Sequence, residues 1–367
     1  MNFVDLLNIA GKYPFIGTFV TFFFGFLLMP FVLKFARKKN LVVRPNKRTS
    51  HNGTVPNIGG LNIFCSLLLI FVILLIFNKL LPSFLLLPFF FGFCLMFVVG
   101  FIDDRLVLSA VWKLVGETLC AFFLIVWSDI RLTSLYGIFG IYELPLWASY
   151  LISYFVFILI VNALNLIDGI DGLASGLGIF YSLFFGIWFH LAGYNYFALF
   201  CFACVGSLLI FFLYNVFGRS NRKIFMGDSG SLVLGYLMTF FVIEFLEINT
   251  KHLISESYVF TAAPVSVICL LFVPLFDIFR VAFTRMKKGI SPFTPDKNHV
   301  HHLLLRLGLT HRQVTFVLLS VTFIFTALAV LGRNLNIYVL FAMALLMGYL
   351  MIFLLWRIVD KRELEKS

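Results

Sequence analysis

Four stretches of the chain gather carboxylates, amides, glycines and histidines far more densely than the residues around them. The first is Gly100-Phe-Ile-Asp103-Asp104-Arg105, with Lys113 ten residues on. Adjacent carboxylates repel, so a cation, a proton or a metal ion should sit beside them. The second, Asn162-Ala-Leu-Asn165-Leu-Ile-Asp168-Gly169-Ile-Asp171-Gly172, contains no Lys or Arg. Its glycines let two amides and two carboxylates converge in a tight turn, as hard cations require of oxygen ligands. The third, Phe225-Met-Gly-Asp228-Ser-Gly-Ser231, has glycines through which backbone N–H groups can approach an anion, and Ser231 is expected to cap a helix there. The fourth is the basic stretch from Arg280 to Arg312, with Arg285, Lys287, Lys288, Ser291-Pro-Phe-Thr-Pro-Asp296 and His299-Val-His301-His302. One short segment would have to supply every nitrogen of a zinc site, so these histidines read better as partners for phosphate. A fifth, weaker segment runs from Arg44 through Lys47, Arg48 and His51 to Gly60 and could touch phosphate or a lipid headgroup.

Oxygen ligands for a divalent cation, helix N-termini, and Arg and His for anions together make equipment for phosphoryl transfer, which depends on positioning and charge neutralisation more than on a special nucleophile. Neither a Ser-His-Asp elbow, a Walker loop, a Rossmann glycine pattern nor a haem ligation signature is present.

The elements that must hold these residues are membrane spans. Of 367 residues 61% are hydrophobic and 12% charged, with a mean hydropathy of +1.02, whereas soluble domains carry roughly 25% charge. A soluble enzyme is excluded, as is a nucleic-acid-binding chain, which would set its basic excess on a polar background. A span needs about 20 mostly apolar residues. Eleven such runs are found, at 15–33, 59–77, 84–101, 110–127, 146–164, 173–191, 195–217, 231–249, 259–279, 314–332 and 337–356. The fold class expected is an all-α integral membrane protein, one polytopic domain over 1–367. With the N-terminus outside and the C-terminus cytoplasmic, 23 of the 28 Lys and Arg fall on the inner side, as basic loops require. The net charge of +11 is then mainly a signal of topology. All the motifs lie at the same, inner face. The six cysteines fall within the runs and indicate no disulfide framework, and Cys201-x-x-Cys204 reads as core packing. A transporter would place its charges near the midplane; the candidates there, Glu117, Glu244, Glu247 and His190, are few and read as local polar contacts.

In this order and between these runs, the motifs resemble those of the bacterial polyprenyl-phosphate N-acetylhexosaminyl-1-phosphate transferases of glycosyltransferase family 4, in particular their WecA/TagO branch, over the stretch from Arg44 to Arg312. The resemblance implies an enzyme of the bacterial plasma membrane that moves N-acetylglucosamine 1-phosphate from UDP-N-acetylglucosamine to undecaprenyl phosphate and releases UMP. It implies Mg²⁺, with Mn²⁺ as an alternative, held by Asp228 with Asn165. Phe225 would stack on uracil, Asp171 and Gly169 would meet its edge, and Lys113 would lie near the donor phosphates. Asp103, Asp104, Asp168 and His299 are the candidate catalytic residues, the first of them engaging the attacking lipid phosphate, and Arg285, His301 and His302 would hold the donor diphosphate and sugar. The wider pattern Asp-Asp-x-x-Asp is broken, since Val107 stands at its third acidic position, which weakens any scheme in which that motif alone chelates the metal. The peptidoglycan relative that transfers phospho-N-acetylmuramoyl-pentapeptide is the alternative; it typically carries three consecutive histidines followed closely by Glu, where this chain has His-x-His-His. The partners implied are the two substrates, the bilayer and a homodimer, with no nucleic acid.

Overall fold

The structure is a computed structural model that describes residues 12–43, 55–77, 83–219, 221–250, 254–289, 291 and 299–364. The segment Arg44 to His51, and residues 292–298 with Asp296, lie outside the described residues.

All eleven apolar runs are helical. In chain order they are α1 (Ile16–Lys38), α2 (Gly59–Phe77), α3 (Ser83–Leu106), α4 (Ala110–Ala121, continued by a π-helical turn Phe122–Trp127), α5 (Leu146–Ile167), α6 (Leu173–Leu191), α7 (Asn195–Val216) and α8 (Asp228–Thr250), then α9 (Ala263–Leu270) and α10 (Phe272–Lys287), the short α11 (Val300–Arg306), α12 (His311–Leu331) and α13 (Ile337–Leu364). Among the described residues eight helices are long and apolar enough to cross a membrane, or nine with the broken pair that ends in α10. Two small antiparallel ribbons complete the fold: Val42–Val43 with Val55–Pro56, and Ser134–Ile138 with Ile141–Glu143.

Three departures from the sequence reading matter for the site. Helix α3 runs five residues past its apolar stretch, so Asp103 and Asp104 stand in its last turn. Helix α8 starts three residues early, which puts Asp228 in its first turn. The run at 259–279 is not one rod: α9 and α10 meet at Leu271 with a bend of 64°. Pro274 is the cause, because it has no N–H to give and its ring would clash with the Leu270 carbonyl. The bend aims α10, with Asp277, Arg280 and Arg285, away from the line of α9.

Helix α8 forms the axis of the bundle, packed by α2, α3, α5 and α6 and buried along nearly all its length. Around it Phe89, Phe93, Phe157 and Tyr236 make a continuous aromatic layer. The outer helices α1 and α12 present Phe19, Phe31, Phe316 and Phe323 outward. A soluble protein does not expose such rings in number, and a bilayer solvates them.

Candidate active site

The site is built where the last turn of α3, the first turn of α4, the last turn of α5 and the first turn of α8 meet. Lys113 in the first turn of α4 is the hub. Its Nζ lies 2.9 Å from Asp103 Oδ2 on α3, 2.9 Å from Asp228 Oδ1 on α8 and 2.9 Å from Asn165 Oδ1 on α5. An ammonium has three donors, and here each has an oxygen from a different helix. The point between those oxygens therefore already favours a cation. Asn165 Nδ2 donates to Asp228 Oδ1 and to Ser231 Oγ at 2.8 Å, so the amide turns its carbonyl oxygen toward the hub. The Asp103 carboxylate is nearly buried, and its other oxygen accepts the Leu108 N–H at 2.8 Å.

Asp104, next in the chain, does different work. Its oxygens accept the backbone N–H of Asp228 at 2.8 Å and of Ser229 at 3.0 Å, and the Asn57 side chain at 2.9 Å. It caps α8 from a neighbouring helix, a carboxylate set against the positive end of the helix dipole. The cap expected from Ser231 is not formed: that hydroxyl lies inside the first turn and donates to the Gly227 carbonyl. Arg105 is not the counterion of the pair either, since it stacks over Phe101 at 5.0 Å. The close approach of α3 to this turn requires Gly100, where a Cβ would stand 2.5 Å from Ser229 Cα. Gly227 supplies the left-handed conformation, φ +73°, that starts α8. The segment from Pro56, where the first ribbon ends, to Gly59, where α2 starts, lies beside this turn: Phe225 N donates to Pro56 O, and Gly59 N to Phe225 O, both at 2.8 Å.

Beside the hub is a second group centred on Asp171. Its carboxylate pairs with Lys223 at 2.5 Å and with His311 Nδ1 at 3.3 Å, and its carbonyl accepts Thr315 Oγ1 at 2.9 Å. Burial pushes this carboxyl up, but hydrogen bonds and charge from His311 and Lys223 outweigh that and hold it below the usual range. The acidic turn 168–172 is thus compensated by a cation 52 positions away. Lys223 also lies 5.7 Å above the Phe225 ring, so Phe225 and Asp171 share one cationic neighbour. Gly172 N donates to Asn215 Oδ1, whose amide in turn donates to Ile224 O at 2.8 Å, which ties the turn to the strand leading to Phe225.

Asp168, at the end of α5, accepts no hydrogen bond among the described residues. Burial, followed by the charges of Asp228, Asp104 and Asp171, pushes its carboxyl well above the ordinary range. The third group comes from α10 and α11. Asp277 accepts His299 Nδ1 and the Val300 N–H, each at 2.8 Å, and Arg280 at 3.0 Å. His301 is buried against Gly169, where a Cβ would stand 2.9 Å from Nε2. Its Nδ1 has no partner among the described residues. Burial, with the charge of His302 next, pushes the His301 imidazole down to about 3. It meets a ligand as a neutral ring and not as a cation. His302 adjoins it, with 4.3 Å between ring centroids, and Arg285 stands in the last turn of α10.

Of the residues singled out by sequence, Asp103, Lys113, Asn165 and Asp228 are in direct contact, Asp104 supports them through the backbone, and Asp171, Phe225, Gly169 and His301 adjoin. Lys223, His311 and Asn57 were missed as site residues. Lys223 precedes Phe225 by only two positions, a proximity that could have marked it. His311 opens an apolar run and gives no local sign of its role. Three of the midplane candidates make local contacts: Glu117 accepts Asn162 Nδ2 at 2.8 Å, one turn along α4 from Lys113, Glu247 accepts Thr133 N and Oγ1 at 2.7 and 2.8 Å, and His190 meets Asn195 at 2.7 Å.

Hard oxygens from Asp228 and Asn165, with Asp103 alongside, suit a hard divalent ion, which commonly takes one or two carboxylates and completes its shell with substrate phosphates. No cluster of three or more His, Cys, Asp or Glu placed to hold a metal occurs among the described residues.

Residues 86–246 match glycosyl transferase family 4, a stretch that contains the hub and the Asp171 group except His311 and Thr315. The undecaprenyl-phosphate alpha-N-acetylglucosaminyl 1-phosphate transferase of Yersinia pestis is 31% identical over 343 residues, 93% of this chain and 90% of that protein. Proteins of the same name from Haemophilus influenzae and Escherichia coli K12 are 32% identical over 345 residues, 93% of this chain and 92% of theirs, and 33% identical over 304, 82% of this chain and 78% of theirs. With identity of this order sustained across nearly the whole length, and the site residues assembled at one end of the bundle, the chain belongs to glycosyl transferase family 4.

Proposed function

We propose that the chain transfers N-acetylglucosamine 1-phosphate from UDP-N-acetylglucosamine to undecaprenyl phosphate, giving undecaprenyl-diphosphate-N-acetylglucosamine and UMP. Similarity to relatives of that name along more than nine-tenths of the chain supports this reading, and the observation that carries it is the set of oxygens from Asp103, Asp228 and Asn165 around one cation. The reading includes eleven spans, an outside N-terminus and a site on the cytoplasmic face of a bacterial plasma membrane. The 23-to-5 partition of basic residues supports that orientation.

In the reaction an oxygen of the lipid phosphate attacks the sugar-bearing phosphorus of the donor. A new P–O–P bond forms, the bridging bond to the nucleoside phosphate breaks, and UMP leaves with the electron pair. Mg²⁺, held by Asp228 and Asn165, would neutralise charge on the donor diphosphate. Lys113 offers its ammonium to the phosphates from between Asp103 and Asp228. Asp171, fixed by Lys223 and His311, presents a carboxylate for the N–H edge of uracil, and Phe225 a ring for its face. Neutral His301 donates or accepts a hydrogen bond at the sugar phosphate, with His302 beside it and Arg285 on the preceding helix. A phosphate monoester has a second pKa near 6, so the acceptor is largely dianionic at neutral pH and needs no obligatory base. Asp103, whose oxygens are both engaged, then serves to position.

Purified protein in detergent should release UMP from UDP-N-acetylglucosamine only when Mg²⁺ and a polyprenyl phosphate are both present. Turnover with UDP-N-acetylmuramoyl-pentapeptide instead would assign it to the peptidoglycan relatives. Transport of a solute without turnover would sink the reading.

A further inference from the structure

Away from the hub, a groove of about 700 Å³ runs down the flank of the bundle between α6, α7 and α12. Gly176 opens its floor: where a Cβ would stand, Leu319 lies at 3.2 Å and Phe212 at 3.6 Å. Phe323 and Leu183 form the exposed rim. The lining is apolar apart from Ser320, whose hydroxyl donates to the Phe316 carbonyl. Phe316 to Ile324 on α12 covers about 12 Å at the rise of an α-helix, close to half of a hydrocarbon core of about 30 Å. The groove is therefore about as deep as one leaflet.

At its site-side end stands a fixed cation. Arg312, one turn before Phe316, donates to the Val216 carbonyl at 2.8 Å and stacks over Phe217 at 4.9 Å. Val216 lies one turn beyond Phe212, so the guanidinium is held about 5 Å past the last apolar ring of the groove. Exposed Arg219 and Arg222 follow on the same side. An apolar slot one leaflet deep with a cation at the headgroup level matches a lipid that carries a phosphate.

We infer that the groove binds an acyl chain of an anionic glycerophospholipid from the surrounding leaflet, with its phosphate on Arg312. The polyprenyl acceptor does not fit the placement. Its chain is far longer than one leaflet, and its phosphate must reach α3, α4, α5 and α8, none of which lines the groove. The same first turns of α12 carry His311 and Thr315, both on Asp171. A lipid seated on Arg312 thus steadies the turn that holds Asp171, a consequence that rests on the proposed role of that carboxylate; the binding itself does not.

The test is native mass spectrometry of the full chain in detergent, offered equal amounts of phosphatidylglycerol and phosphatidylcholine, with variants compared at matched helicity by circular dichroism. One phosphatidylglycerol should be retained with about fivefold preference, the ratio expected of one well-placed Arg. Arg312→Gln should equalise the two lipids, Ser320→Phe or Ser320→Leu should reduce retention of both, and Lys287→Gln, an exposed basic residue elsewhere on this side, should change nothing. Equal retention by the unaltered chain would overturn the inference, as would indifference to either groove variant or to loss of Arg312. So would competitive displacement of phosphatidylglycerol by undecaprenyl phosphate, or disulfide cross-linking of Ser320→Cys between two copies, which would assign the groove to the acceptor or to a second chain.

Discussion

At the scale of the residue, adjacent carboxylates have separate work. Asp103 faces the Lys113 ammonium, whereas Asp104 faces the amides of α8. Replacing Asp103 with Asn keeps its shape and removes its charge. If it also accepts the proton of the minor monoanion, the loss of turnover should be greater at pH 6.5 than at alkaline pH; an equal loss at both would leave it the positioning role alone. For Lys223→Met the expected outcome is a rise of about tenfold in KM for UDP-N-acetylglucosamine with kcat little changed, since a hydrogen bond to a charged group contributes about 1.5–3 kcal/mol. The carboxyl it pairs with is held low, so that ion pair is whole at neutral pH and weakens only as pH falls through the lowered value. His301 behaves oppositely: pushed down to about 3, it stays uncharged from pH 5.5 to 8. The pH–rate profile of His301→Gln should keep the parent's shape in that window, and a missing inflection would show that this ring titrates. Sequence reading found the acidic residues because carboxylates are rare in so apolar a chain. It did not find their partners, because Lys223 and His311 reach Asp171 from 52 and 140 positions away, and neither separation leaves a local pattern.

At the scale of the element, the site depends on how closely helix ends approach. Gly100 lets α3 lie against the start of α8, and Gly100→Ala should destabilise the fold by about 1–3 kcal/mol through overpacking, read as a lower melting temperature in detergent. Because Asp104 caps α8 across this contact, turnover should fall with it. The long helices were legible from hydropathy, since a bilayer demands about 20 apolar residues of each. The helix ends were not, because hydrogen bonding continues past the apolar limit wherever a polar turn has partners, as at Asp103 and Asp228. The break at Leu271 did have a sign, Pro274, but it lay within an otherwise unbroken apolar run and was read as part of one span. The role of Ser231 was misplaced for a related reason: a cap can come from another helix, and no sequence window contains both Asp104 and Asp228.

At the scale of the whole molecule, the arrangement has two ends of different character. One gathers the carboxylates, the basic turns and the histidine helix; the other carries the ribbon Ser134–Glu143, anchored to α8 by Glu247. All six cysteines lie in helices. A single new cysteine at exposed Lys288 should therefore be the thiol that a membrane-impermeant reagent finds, and it should react in inverted vesicles but not in intact cells. Labelling from outside would reverse the orientation of every loop.

Because protein rather than lipid surrounds α8, its sequence answers to shape and not to hydropathy. Gly235 has Val161 Cα at 2.7 Å from where a Cβ would stand, and Ser229, Ser231, Thr239 and Asn249 are all buried on this helix. Drift of sequence among relatives should then run contrary to the usual rule for membrane spans. The apolar outer faces of α1 and α12 are free to trade one large hydrophobe for another, while α8, with its buried hydroxyls and amide, is the span least able to change.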